Sequence, residues 1–299
     1  MVHSERANMA ALCARLFCRI FHTMEAYNLD TFKALDRYRY LRSNFIAAYH
    51  GGSQQHRKRD LGPLRRRGYI ATPDQQKDSA NYRYTPRVYE LAPKGKIELL
   101  ASGGTPTDWP QSRQFWHQLM IADIVMSLEI ACKERGLHFR HRTEIIGMQP
   151  LQFKSSVSHQ FAKHMEHYDG ALQPDELFAI NNTYFVLEAD RQREPITRPT
   201  LNASSYLRKI LQYRAVLKSG SYKGLIPNMV VLNITTSPIH AKNIQTFMLE
   251  ELRMSSSALL FKGIEILGSR DTYPQPLIHL LDEPFQRVGH PDFIISKET

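Results

Sequence analysis

Apolar and aromatic residues recur at helical spacing in the first fifty residues of the chain. Residues 8–25 (NMAALCARLFCRIFHTME) separate an apolar face from a face that carries arginines, which is typical of an amphipathic helix. A second helical pattern runs from Thr31 to Tyr49 and ends at Gly51-Gly52, where glycine favours a helix stop. We therefore predict two helices in this part of the chain.

The next segment combines apolar anchors with a cluster of positive charge. Residues 53–70 are SQQHRKRDLGPLRRRGYI, and a helix there would turn Leu61 and Leu64 toward the core while the cations point outward. Gly62-Pro63 falls inside this helix, where proline costs about 3 kcal/mol of helix stability. We expect the helix either to bend at that point or to divide into two short helices.

Two short strand patterns follow the basic segment. Tyr69 to Ala71 and Tyr82 to Leu91 enclose a polar loop, as in a β wing, and residues 89–100 (YELAPKGKIELL) then pass into another helix. A basic helix that follows two others after a tight turn is the element that a helix-turn-helix protein inserts into the major groove of DNA. The order of elements predicts a winged helix in residues 1–104.

The rest of the chain predicts a mixed sheet with helices. Two Gly and two Pro in residues 103–112 indicate a boundary, and a long helix is predicted from Gln114 to Arg135. Strand patterns then alternate with a helical one: strands at Leu177 to Ile180, Tyr184 to Leu187, Asn228 to Thr235 and Phe261 to Leu267, and a helix at Lys242 to Met254. The predicted fold class is α+β or α/β, with residues 105–299 as a mixed α/β domain.

Positive charge is concentrated in the N-terminal third. The chain has a net charge of +10, and residues 1–104 hold 18 Lys and Arg against 9 Asp and Glu. A basic patch of this kind suits contacts to DNA phosphates, so we predict double-stranded DNA as the partner. The candidate contacts are the cations of the basic segment: Arg57, Lys58, Arg59, Arg65, Arg66 and Arg67.

Composition restricts the class of protein further. Three cysteines are an odd number without metal-ligand spacing, which favours reduced thiols in a cytoplasmic protein. No segment approaches about 18 uninterrupted apolar residues, so no membrane partner is expected. A homodimer is compatible with DNA binding, because two-fold symmetry doubles the contacts.

Acidic residues meet in a predicted hairpin. If Asn181-Asn182 forms a two-residue turn, Asp175 lies directly opposite Glu188, and Asp190 lies on the same strand face as Glu188. Like charges at this distance destabilise a sheet and require compensation. Two explanations stay open: a shared Mg²⁺ or Mn²⁺ ion, or solvation at a sheet edge together with pairing to Arg191 or Arg193.

The order of these features resembles one known family. RDLGPLRRRGYI and Tyr-x-Leu-x-x-Lys-Gly within residues 8–102 resemble the winged helix of the replication-relaxation family of plasmid and mobile-element proteins. Pro174-Asp175, followed by Glu188-x-Asp190, resembles the PD-(D/E)xK nuclease core, to which the C-terminal region of that family is similar.

The resemblance implies roles for individual residues. Asp175 and Glu188 would hold a metal ion, and a lysine at the third motif position would activate or orient water. Asp190 occupies that position here, so the lysine would have to come from the following helix, where Lys209 is the candidate. His117 resembles a histidine at the corresponding point in the same family, although a structural or surface role is the alternative.

Two hypotheses of function follow from these patterns. The first is a double-stranded DNA-binding protein of a plasmid, phage or integrative element that acts in replication, mobilisation or transcription control. The second is a metal-dependent nuclease or nickase that uses Asp175, Glu188, Asp190 and Lys209, with the basic domain for delivery. In a third alternative, the C-terminal domain serves protein docking or dimerisation on an inactive nuclease scaffold.

Overall fold

The computed structural model describes residues 26–51, 53–78, 81–109, 114–147, 149–162, 164–269 and 272–298. The helix predicted at residues 8–25 lies outside these ranges. Helices and strands are mixed throughout the described residues, so the prediction of an α+β fold is confirmed.

The N-terminal region contains four helices and three strands among the described residues: α1 (Ala26–Tyr38), β1 (Leu41–Arg42), α2 (Ser43–His50), α3 (Gln54–Arg66), β2 (Ile70–Ala71), β3 (Val88–Leu91) and α4 (Pro93–Ala101). The strands form an antiparallel sheet in the order β1-β3-β2. The prediction of a single helix from Thr31 to Tyr49 is wrong, because Arg39 has a φ of +66° and the chain leaves the helix there. Leu41 and Arg42 instead pair with β3.

The basic segment forms one helix, so of the two alternatives the division into two short helices is wrong. Pro63 removes one backbone hydrogen bond of α3, because it has no N–H to donate, but the helix continues to Arg66. Gly68 follows with a φ of +79°. Leu61 and Leu64 are buried, as predicted.

The strands that follow are shorter than predicted. Only residues 88–91 of the pattern from Tyr82 to Leu91 form a strand, and a 3-10 helix (Asp74–Asp78) occupies part of the preceding loop. The amide of Gln76 exchanges hydrogen bonds of 3.1 and 3.3 Å with the backbone of Val88, which ties the loop to the sheet. Hydrogen bonds of the Gln76 side chain to the backbone thus replace some of the strand-to-strand hydrogen bonds that a longer hairpin would have.

The C-terminal region is built on a mixed sheet that has seven strands in the described residues, in the order β12-β11-β10-β9-β8-β7-β4. Its members are β4 (Phe139–His141), β7 (Glu176–Ile180), β8 (Thr183–Asp190), β9 (Val230–Thr235), β10 (Leu259–Gly263), β11 (Phe285–Arg287) and β12 (His290–Phe293). The contacts β8-β9 and β9-β10 are parallel, and the others are antiparallel. A separate hairpin consists of β5 (Phe153–Gln160) and β6 (Met165–Leu172).

Helices cover both faces of the sheet. Helix α5 (Phe115–Arg135) packs with Phe178 and Phe185 on one face, whereas α7 (Tyr206–Ser219) and α8 (Pro238–Glu250) pack with Leu177 and Val186 on the other. Alternate residues of each strand therefore belong to different halves of the core. Short α6 (Arg142–Ile145) and α9 (Ile295–Glu298) complete the helices of the described residues.

By length and composition alone, helix α5 is also long and apolar enough to cross a membrane. In the structure, 78% of that stretch is buried inside the protein.

The N-terminal region packs directly on α5. Arg37 and Tyr38 both bond the carboxylate of Glu129, with an Arg37 Nη1–Glu129 Oε1 distance of 2.7 Å. The Arg42 guanidinium Nε lies 2.9 and 3.2 Å from the two oxygens of buried Asp123. These ion pairs hold the basic helix at a defined position relative to the sheet. The boundary between residues 104 and 105 stays a prediction.

Candidate functional site

The hairpin of β7 and β8 has the predicted register. Ile180 pairs with Thr183 and Glu176 with Leu187, so Asp175 directly precedes the paired residues of β7 and Glu188 directly follows those of β8. The backbone N–H of Asp175 donates to the Leu187 carbonyl at 2.9 Å. Asn181 has a φ of +50°, the left-handed conformation that asparagine tolerates at a tight turn. The two carboxylates therefore lie side by side at the end of the hairpin ladder.

Asp175 is bonded by a histidine from the first turn of α5. His117 Nε2 lies 2.9 Å from Asp175 Oδ1, and the backbone N–H of Ala189 donates to Asp175 Oδ2 at 2.7 Å. Burial lowers the pKa of His117, but the hydrogen bond and the charge of Asp175 outweigh it, so the net shift is upward. The pair therefore favours a protonated imidazole beside a carboxylate.

Glu188 is bonded by two side chains of α7. Tyr213 Oη donates to Glu188 Oε1 at 2.5 Å, and Lys209 Nζ lies 2.8 Å from Glu188 Oε2. The Glu188 side chain is only 2% exposed. Burial raises its pKa to about 7, although Lys209 acts in the opposite direction. Two residues that lie one turn apart on α7 therefore bind a carboxylate that is almost fully buried.

Lys209 joins a second carboxylate to the site. Its ammonium lies 2.6 Å from Glu194 Oε2, and Glu194 also accepts a hydrogen bond from the Ser204 hydroxyl. Burial opposes the charge of Lys209, but the two glutamates outweigh it and raise the pKa of Lys209 above its ordinary range. Lys209 therefore carries its proton throughout the physiological range.

Asp190 takes a different set of partners. Its Oδ1 accepts from the backbone N–H of Arg193 at 3.0 Å, and its Oδ2 lies 3.2 Å from His240 Nε2 at the start of α8. The contact to His240 is close in distance but lacks hydrogen-bond geometry, and both atoms are buried. Asp190 is thus directed toward α8, whereas Asp175 and Glu188 form a pair with His117 and Lys209.

These groups border an open pocket of about 420 Å³. Its wall is formed by the two ion pairs and by the loop that follows β8: His117, Asp175, Asp190, Arg191, Arg193, Glu194, Arg198 and Lys209. The pocket combines buried acids, fixed cations and exposed arginines. A cleft lined by ionisable groups with shifted pKa values is a candidate functional site, and its cations suit a negatively charged ligand.

A second concave surface lies on the N-terminal region. We call it the basic groove: it has a volume of about 920 Å³ and lies between α3 and residues 82–87, with Lys58, Arg65, Lys77, Arg83 and Arg87 in its wall. Arg59, Arg66 and Arg67 are exposed elsewhere on α3. Arg57 is half-buried, bonds the carbonyl of Gly51 and lies 3.9 Å from Asp60. The groove extends the predicted basic surface to the loop before β3.

The family model for replication-relaxation proteins matches residues 32–229, about two-thirds of the chain. The chain belongs to the replication-relaxation family. The match includes both the basic helix and the acidic hairpin, and membership associates the chain with replication or relaxation of plasmid and mobile-element DNA. No curated protein and no solved structure matches the chain.

The nuclease resemblance implies a divalent ion on Asp175 and Glu188. Both oxygens of each carboxylate already have protein partners, and Lys209 occupies the approach to Glu188. Among the described residues, no group of three or more His, Cys, Asp or Glu side chains is placed to hold a metal. The arrangement does not fit a resident metal ion unless Lys209 moves. Binding of Mg²⁺ or Mn²⁺ stays a prediction.

The site of this replication-relaxation protein contains residues that the sequence argument did not select. Glu194 and His240 belong to no sequence motif. Only the fold brings Glu194 to Lys209 and His240 to Asp190. Lys77, Arg83 and Arg87 lie outside the basic segment from which the candidate DNA contacts were predicted. The required compensation for the acidic pair comes from Lys209 and His117, which are distant in sequence from the hairpin.

Proposed function

We propose that this chain is a double-stranded DNA-binding protein of a plasmid, phage or integrative element, acting in the cytoplasm in replication, mobilisation or transcription control. Residues 1–104 would be its winged-helix DNA-binding domain and residues 105–299 a nuclease-like α/β domain. In this proposal, α3 enters the major groove and the loop before β3 contacts the adjacent backbone.

The observation that carries the proposal is the orientation of α3. Leu61 and Leu64 are buried and fix one face of the helix to the core, so the cations of the other faces point to solvent. The basic groove then adds Lys77, Arg83 and Arg87 at the side of the helix. Cations on two adjacent elements match the repeated phosphates of a duplex, and arginine can also bond guanine in the major groove.

The test is the salt dependence of duplex binding by the protein and by an Arg65→Ala, Arg66→Ala, Arg67→Ala variant. Each phosphate contact contributes about 0.9 to the slope of log K against log salt, so loss of three contacts lowers the slope by up to about 3. The matched control replaces three exposed cations that lie together in the C-terminal region: Arg214→Ala, Lys218→Ala and Arg253→Ala.

The control variant should keep the affinity and the salt slope of the parent protein. Equal losses in both triple variants would show that overall charge, rather than α3, determines the affinity. Unchanged binding in the α3 variant would contradict the assignment of these arginines.

A second candidate function is phosphodiester cleavage at the pocket of about 420 Å³ beside Asp175 and Lys209, which we call the acidic pocket. The observation that favours it is the position of Lys209, which reaches Glu188 from α7 although the third motif position is Asp190. Supercoiled DNA incubated with Mg²⁺ or Mn²⁺, and with a chelator, tests this function. Nicking that depends on the ion and is lost in Asp175→Ala supports it, and intact DNA under every condition contradicts it.

A further inference from the structure

The basic groove continues into a narrower cleft. Thr85 and Tyr273 line both the groove and a cleft of about 210 Å³. Arg42 and Asp123 line this cleft and form an ion pair, so the buried carboxylate of Asp123 already has a cationic partner. The groove is therefore open toward the C-terminal sheet on this side.

The other end of the cleft reaches the acidic pocket. Trp116, Arg191 and Arg193 line the cleft and the pocket alike. The basic groove, the cleft and the pocket thus form one surface, which we call the strand path. It begins beside α3 and ends at Lys209.

The two arginines of the strand path are held in place by a turn. The Asp190 carboxylate accepts hydrogen bonds from the backbone N–H groups of Arg193 and Glu194, at 3.0 and 3.4 Å. Gln192 between the arginines has a φ of +57°, a conformation that costs a residue with a side chain about 1 kcal/mol. The hydrogen bonds to Asp190 sustain this turn and hold the backbone that carries both arginines at the junction of cleft and pocket.

Two acids of the pocket are compensated by the protein itself. Asp175 pairs with His117 at 2.9 Å, and Glu194 pairs with Lys209 at 2.6 Å. Arg193 and Arg198 are exposed. An anionic ligand at the junction would therefore meet arginines beside two acids that already have cationic partners.

We propose that a single strand of DNA leaves the duplex on the basic groove and follows the strand path to the pocket. Arg191 and Arg193 would bind its phosphates, and Trp116 and Tyr273 would border its bases. A cleft of about 210 Å³ is too small for a duplex. Cations beside aromatic rings are the general means of binding unpaired strands. This inference rests on the proposed duplex binding.

The test compares a short blunt duplex with the same duplex carrying a single-stranded tail of either polarity. The protein should bind one tailed form at least about tenfold more tightly than the blunt form, or about 1.4 kcal/mol. In an Arg191→Gln, Arg193→Gln variant, this ratio should fall to about twofold or less, because the tail phosphates lose both cations. An Arg214→Gln, Lys218→Gln variant should retain the ratio.

Cross-linking gives a second measurement that does not depend on the variants. A tail with a photoreactive base should attach to peptides that contain Trp116 or Tyr273, and the blunt duplex should not. A parent protein that binds no duplex overturns the proposed function. Duplex binding without a preference for either tail, or a preference that survives in the Arg191→Gln, Arg193→Gln variant, overturns the strand path alone.

Discussion

Replacing Glu188 by Gln tests the electrostatics of the acidic pair. Glu188 is 2% exposed, and burial raises its pKa to about 7 from an ordinary value of 4.5. Glutamine has nearly the same shape and can still accept from Tyr213 and Lys209, but it does not titrate. The difference in stability between the two proteins therefore isolates the ionisation of this one carboxyl.

The sign follows from proton uptake. Between about pH 4.5 and pH 7 the folded protein holds a proton on Glu188 that the unfolded chain has released, so stability falls as pH rises through this window. The shift corresponds to about 3 kcal/mol, at 1.36 kcal/mol for each pH unit. Relative to the parent, Glu188→Gln should therefore gain about 3 kcal/mol of unfolding free energy from pH 4.5 to pH 7.5.

Urea unfolding of both proteins across this pH range gives the measurement. Glu283→Gln is the control, because Glu283 pairs with Lys262 at the surface and such pairs contribute about 1 kcal/mol or less. Parallel stability curves for the parent and Glu188→Gln would refute the reasoning. The opposite slope would show that Lys209, rather than burial, dominates the pKa of Glu188.

Three further predictions follow from single contacts. Arg42→Leu should lower the unfolding free energy by about 3 kcal/mol at pH 8, because it leaves Asp123 buried without its partner, and adding Asp123→Asn should restore most of the loss in urea unfolding. Leu61→Ala should cost about 2–5 kcal/mol by the same assay, since Leu61 is fully buried on the core-facing side of α3. In an NMR titration, Asp175→Asn should lower the pKa of His117, whose charged form the parent favours through Asp175.

Local patterns predicted the elements that are determined locally. The two buried leucines of α3, the helix from Phe115 and the register of the hairpin follow from periodicity and from the turn at Asn181. Local patterns did not predict the break after α1. Arg39 adopts a left-handed conformation there, and Leu41 then pairs with Tyr89 of β3, nearly fifty residues away in the sequence. Tertiary pairing outweighed the helical pattern at this point.

The site was predicted only in part for the same physical reason. The two-residue turn sets the register of the hairpin, so sequence spacing suffices to bring Asp175 and Glu188 to the same end of it. Glu194 and His240 come to Lys209 and Asp190 through the packing of α7 and α8 on the sheet. No periodicity in the sequence encodes these contacts between separate elements.

The most direct test of the DNA-binding proposal reverses one charge on each side of the basic groove. Lys58→Glu on α3, combined with Arg83→Glu on the facing loop, should weaken duplex binding at least about 100-fold, or about 2.7 kcal/mol, at moderate salt. Arg214→Glu combined with Lys218→Glu, which introduces the same charge change elsewhere, should bind as the parent protein does. Equal affinities of the two double variants for duplex DNA would contradict the account.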